Sequence, residues 1–222
     1  MKVILFGASG MVGQGVLREC LADNDVEKVL LIGRSATGQQ HPKIHEIVHA
    51  DIGDLSPVEP ELSGFDACFF CLGVSSVGMT ENDYKRITYE MTIGAAGTLA
   101  KLNPSMTFIY VSGMGTDSSE TGRTSWARVK GATENALLRM PFRAAYMFRP
   151  GFIQPMHGEQ PKAAIMKLAL RVLGPVIPLV LRFAPQHATT TERMGRAMLF
   201  VVKHGAPKKV LESADINALS SV

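Results

Sequence analysis

Three glycines at intervals of three, Gly7, Gly10 and Gly13, stand between an apolar run at residues 3–6 and a stretch from Met11 onward. In that stretch Val12, Val16, Leu17, Cys20 and Leu21 fall on one helical face. The spacing does its chemistry through what it lacks. A backbone without side chains can approach a pyrophosphate, and the first turn of a helix offers it free N–H groups and the positive end of a dipole. Ser9, Met11 and Val12 complete that loop and share the cofactor-binding expectation. The next apolar run, 28–33, is followed directly by Arg34 and Ser35. An acid at this point accepts bonds from the adenosine ribose of NAD, whereas a basic residue suits the 2′-phosphate of NADP. Leu72 and Gly73, at the end of a further apolar stretch, are expected against the pyrophosphate and ribose. The expected cofactor is NADP(H), and no metal site is expected.

Such residues need a frame. Short apolar runs at 3–6, 28–33, 65–72, 105–112 and 143–148 read as strands, and 43–50 as a strand of alternating character. Helical stretches alternate with them: one from Met11, one from an N-cap at Thr80 to about 102, and one from Thr124 or Ser125 to about 140. This alternation predicts an α/β fold, a doubly wound parallel sheet of Rossmann type with a small helical C-terminal part. Thr189, Thr190, Thr191 and Glu192 start a last helix through about 203, and 209–211 reads as an edge strand. Residues 1–222 are read as a single domain, with 152–222 forming a substrate-side lid and the last helix. Within it, 161–183 is apolar, broken by Gly174, Pro175 and Pro178, and its longest uncharged run of ten residues is too short to span a bilayer. Two readings of that segment stay open: a helical lid over a substrate pocket, which is favoured, or a surface that meets a membrane or a protein partner.

Composition narrows the rest. The 222 residues are 46% hydrophobic and 19% charged with a net charge of +3, which excludes a disordered chain. No basic cluster with interleaved aromatics is present, so no nucleic-acid partner is expected. Cys68 and Cys71 have redox-motif spacing, but residues three apart on a strand point to opposite faces. They and Cys20 read as buried structural thiols suited to a reducing compartment, and with no signal peptide at the start the expected location is cytoplasmic.

The glycine start, Arg34, the Val-Ser-Gly-Met-Gly strand end at 111–115, Trp126 four residues before Lys130 with Gly131 and Glu134, and Arg149-Pro150-Gly151 occur in one order over about two thirds of the chain. Together they resemble the atypical and extended short-chain dehydrogenase/reductases, closest to the branch of the HIV Tat-interacting protein and bacterial sugar-epimerase-like proteins. The resemblance implies that Asp51 and Ile52 border the adenine and that Pro150 and Gly151 lie beside the cofactor. It implies that Lys130 binds the nicotinamide ribose and that Ser112 orients a substrate oxygen. The family's proton-exchanging tyrosine falls at Trp126, and Gly113 follows Ser112 where relatives often carry a second serine. An indole N–H donates a hydrogen bond but exchanges no proton near neutral pH, and a positioned acid–base group is worth ~10²–10⁴ in rate. Tyr84, Tyr89, His157 and Cys71 are the other ionisable candidates, and each reads as structural or exposed. Two functions follow: an NADP(H)-binding oxidoreductase or epimerase-like enzyme with a degenerate Ser-Tyr-Lys site acting on a small molecule, or an inactive NADP(H)-dependent regulatory or scaffold protein.

Overall fold

The computed structural model describes residues 1–160, 184 and 186–221. The expectations placed on 161–183 lie outside these residues. Strand β1 (Lys2–Phe6) leads through the glycine turn into helix α1 (Met11–Ala22), followed by β2 (Lys28–Gly33), β3 (Ile44–Val48) and β4 (Ala67–Phe70). Then come α2 (Glu81–Lys85), a π turn (Arg86–Glu90), α3 (Met91–Leu102), β5 (Thr107–Val111), α4 (Ser125–Leu138) and β6 (Ala144–Arg149). A short strand β7 (Phe152–Gln154), strand β8 (Ala188–Thr190), helix α5 (Thr191–His204), strand β9 (Val210–Glu212) and helix α6 (Ser213–Leu219) complete the described order.

Seven strands form one parallel sheet in the order β3-β2-β1-β4-β5-β6-β9. Their apolar runs are continuous because both faces are covered. Val3, Leu5, Val29, Leu31, Phe69 and Phe148 pack on the side of α1 and α5, and Ile4, Phe6, Leu30, Ile32, Phe70 and Phe108 on the side of α3 and α4. Each fully buried Leu, Ile or Phe contributes ~1.5–3 kcal/mol. Phe6, Phe70, Phe108 and Phe142 make a run of ring contacts across the second face, with centroids 5.0, 6.0 and 4.9 Å apart. Cys68 lies in the second cluster and Cys71 packs against the first, so the two thiols face opposite sides of the sheet.

The element starts follow local chemistry. Thr80 caps α2, its hydroxyl oxygen accepting from Asp83 N at 3.1 Å. The expected single helix from there to 102 is interrupted by the π turn around Tyr89, which no apolar spacing announces. Thr190 caps α5, accepting from Arg193 N at 3.0 Å, so the run of threonines is β8 plus a cap. The expected edge strand is β9, parallel to β6. Some elements were not expected, among them a 3-10 turn at Ser56–Glu61. β7 and β8 form a separate two-stranded parallel pair, and α6 is a seven-residue helix too short to show periodicity. Its start is fixed by a reciprocal cap in which Glu212 N donates to Asp215 Oδ2 at 3.0 Å.

Candidate functional site at the sheet switch point

The strand order reverses at β1, whose neighbours β2 and β4 lead away in opposite directions, so a crevice opens at the C-terminal ends of β1 and β4. Gly7 follows β1 with φ +82°, and a Cβ there would lie 2.8 Å from the carbonyl of Cys71. A Cβ on Gly13 would collide with the carbonyl of Gly7, so the first turn of α1 sits directly on the strand end. Gly10 N donates to Gly7 O at 2.9 Å, which closes the loop. Gly10 caps α1 without a side-chain bond, and no acid stands in the first turn. This is a cradle shaped by missing Cβ atoms at the positive end of a helix, and its residues fit a dinucleotide pyrophosphate. Ser9, Met11 and Val12 are half-buried along it.

Across the crevice, Cys71 N donates to Phe6 O at 3.1 Å, carrying the β1–β4 pairing one residue further. Leu72 then packs on the core and Gly73 emerges exposed. Arg34 and Ser35 follow β2 and are both exposed. Asp51 closes a local turn, its Oδ1 accepting from Gly53 N at 2.9 Å, while Ile52 is buried in the core.

The third wall is the end of β5 with α4 and the end of β6. Trp126, in the first turn of α4, lies over Gly115, where a Cβ would stand 3.4 Å from its ring. Lys130, one turn further on the same helix, donates through Nζ to the carbonyl of Ser112. Burial brings the Lys130 ammonium down to about 8, against the opposing pull of Glu134. The hydroxyl of Ser112 donates to Oε1 of buried Glu134, whose carboxylate also receives the Arg149 guanidinium, Nε at 3.0 and 3.2 Å and Nη2 on Oε2. The strand-end serine is therefore bonded inward. Pro150 O accepts from Met114 N at 2.9 Å and Gly151 N donates to Ser213 Oγ at 2.8 Å, which lays the loop after β6 alongside the one after β5. Gly113 has φ +152°, in the region that favours glycine.

The other ionisable candidates are held elsewhere. Tyr84 is buried, and burial pushes its hydroxyl up against a bond to Thr88. Tyr89 lies half-buried with its ring 5.9 Å from Lys85 Nζ, and His157 Nε2 is 3.2 Å from Glu192 Oε2. Burial pushes the Cys71 thiol up to about 12, which leaves no reactive thiolate near neutral pH. Sequence reasoning named Glu134 and Arg149 but missed that Glu134 engages the Ser112 hydroxyl and that Arg149 holds the Glu134 carboxylate. The available signal was an acid one helical turn after Lys130, facing the same strand end. Among the described residues no cluster of His, Cys, Asp and Glu could hold a metal ion, and no helix is long and apolar enough to cross a membrane.

Residues 7–144 match the family described as NAD(P)H-binding. A protein from Aspergillus oryzae called "Protein fmp52-2, mitochondrial" is 28% identical over 221 residues, covering 96% of this chain and 93% of that one. "Protein HTATIP2" from Rattus norvegicus is 29% identical over 154 residues, 68% of this chain and 62% of that one. Among solved structures, Bordetella bronchiseptica WbmF in complex with NAD+ superposes with a TM-score of 0.70 at 14% identity, covering 99% of this chain and 76% of that one. DesIV, the dTDP-glucose 4,6-dehydratase of Streptomyces venezuelae, gives 0.68 at 15% identity, covering 95% and 74%. These relatives correct one expectation. The cytoplasmic assignment does not stand, because the Aspergillus oryzae relative and one from Chaetomium globosum, each matched over 96% of this chain, are named mitochondrial proteins. Unpaired thiols separate reducing from oxidising compartments but not one reducing compartment from another. The matched family, the relatives and the sheet together place the chain: it belongs to the NAD(P)H-binding family and is similar to the HTATIP2 and FMP52 proteins.

Proposed function

We propose that this chain binds NADP(H) across the β1/β4 crevice and is an oxidoreductase or epimerase-like protein of the short-chain dehydrogenase/reductase kind, with a weakened proton-transfer site. The observation that carries the reading is the cradle after β1, where the absence of a Cβ on Gly7 and Gly13 lets the strand end, the loop and the first turn of α1 pack directly together, so that the helix N-terminus faces the crevice. Gly7, Ser9, Gly10, Met11, Val12 and Gly13 line the pyrophosphate, which the N–H groups in the first turn of α1 face. Arg34 and Ser35 read the 2′-phosphate, which favours NADP over NAD because no acid follows β2. Asp51 and Ile52 border the adenine, Leu72 and Gly73 the ribose and pyrophosphate, and Pro150 and Gly151 the nicotinamide. Lys130 supplies an ammonium to the nicotinamide ribose, and Trp126 walls the substrate side. When bound, NADPH supplies a hydride for a carbonyl carbon.

The chain's own contribution to such a reduction is binding, orientation and exclusion of water. The proton for the substrate oxygen is the weak point, since Trp126 has none to exchange and the Ser112 hydroxyl is engaged by Glu134. That engagement favours a second reading, a regulatory protein in which NADP(H) occupancy sets a surface for a partner. Turnover of NADPH against a broad carbonyl panel separates the two. Oxidation above the rate without protein supports the enzyme, and tight binding with no turnover supports the regulator. Absence of NADPH binding by calorimetry would overturn both.

A further inference from the structure

Every polar group of Ser112 is engaged. Its N–H donates to Phe148 O at 2.9 Å, its hydroxyl donates to Glu134, and its carbonyl accepts the Lys130 ammonium. Glu134 is 1% exposed and receives Arg149, which also reaches Ser118 Oγ and lies 3.6 Å from Glu212. Lys130 and Glu134 are one turn apart on α4, so the contacts close a ring through α4, the end of β5 and the end of β6. A buried ion pair is weak evidence for stability, because desolvation offsets much of its attraction. A second role is needed to explain its place here. Lysine has a flexible stem carrying about 2 kcal/mol of rotamer entropy, and fixing it beforehand lowers the cost of binding a ligand. With Trp126 at its side, Lys130 has no phenol oxygen to hold it, and the protein supplies a backbone carbonyl instead.

We propose that Glu134 and Arg149 are positioning residues that act through Ser112: they clamp the end of β5 so that its carbonyl holds the Lys130 ammonium ready for the cofactor. The serine hydroxyl serves this clamp and not a substrate. The binding part of the test rests on the NADP(H) reading; the clamp itself does not.

A double-mutant cycle on NADPH affinity with Ser112→Ala and Lys130→Met provides that part of the test. Ser112→Ala should weaken NADPH about three- to tenfold when Lys130 is present and less than twofold in the Lys130→Met protein. A purely structural role gives the same loss in both backgrounds and overturns the proposal. The second measurement needs no cofactor: NMR titration of Lys130 after ¹³C-methylation, assigned with Lys130→Arg. Ser112→Ala should raise its midpoint toward the ordinary lysine range as the ammonium leaves its buried seat. Glu134→Gln should lower it, because the anion that favours the charged form is gone. Unchanged midpoints in both variants overturn the clamp. Shifted midpoints in a protein that binds no NADPH keep the clamp and remove the cofactor reading.

Discussion

Raising the pH is the perturbation that tests Lys130 without mutating anything. Burial lowers this ammonium to about 8 while Glu134 pulls the other way, so the group is charged at pH 7 and largely neutral by pH 9.5. A hydrogen bond from a charged donor contributes ~1.5–3 kcal/mol, which corresponds to roughly ten- to a hundredfold in affinity. NADPH binding should therefore hold from pH 6.5 to 7.5 and weaken through a midpoint near 8. Above it the loss approaches about tenfold per pH unit until the full contribution is gone. Stability should run the other way. The folded pKa lies below the ordinary lysine value, so between pH 8 and that value the unfolded chain binds more protons, and this group's contribution to stability rises with pH. Weaker binding at pH 9 thus does not report unfolding. Trp126 is the chain's single tryptophan and stands one turn from Lys130, so quenching of its fluorescence by NADPH gives the affinity directly. Lys130→Met should bind weakly with a flat profile from pH 7 to 9.5. The reasoning is refuted if the wild-type profile is also flat, or if Lys130→Met keeps the same slope.

Arg34→Ala should weaken NADPH by about ten- to a hundredfold through loss of a charged hydrogen bond and leave NADH within twofold by calorimetry; equal losses would remove the 2′-phosphate role. Gly13→Ala places a methyl against the carbonyl of Gly7. Overpacking of this kind costs ~1–3 kcal/mol, so Tm should fall by several degrees and NADPH affinity by more than tenfold, whereas unchanged affinity would place the pyrophosphate elsewhere. Trp126→Tyr restores a phenol one turn before Lys130 and should leave NADPH affinity unchanged while raising any trace carbonyl reduction; a fall in a native activity would mean instead that the indole shapes a working pocket. Adding Gly113→Ser puts a side chain on a backbone with φ +152°. The double variant should melt below the single one, with strain of about 1–3 kcal/mol, and equal melting would show that the loop relaxes.

What the sequence determined by itself is the frame. Continuous branched and aromatic runs such as Val29, Leu30, Leu31 and Ile32 can be satisfied only with both faces covered, and alternation with helices then leaves a parallel sheet with its crevice at the switch point. The glycine cradle was legible for the same kind of local reason, since a strand end, a turn and a helix start are set within one short segment. Cys68 and Cys71 were assigned to opposite faces by strand period alone, and they lie there. The tertiary structure decided what local rules cannot reach. The Ser112 hydroxyl turns inward because Glu134 and Arg149 arrive from α4 and β6, 22 and 37 residues further along the chain. Burial by the fold brings the Lys130 ammonium down to about 8, against the opposing pull of Glu134. Tyr84 is withdrawn from chemistry because the fold buries it. A side chain's type fixes what it can donate or accept, but its pKa and its partner depend on the dielectric and the groups that distant segments bring to it, and those exist only once the sheet has assembled.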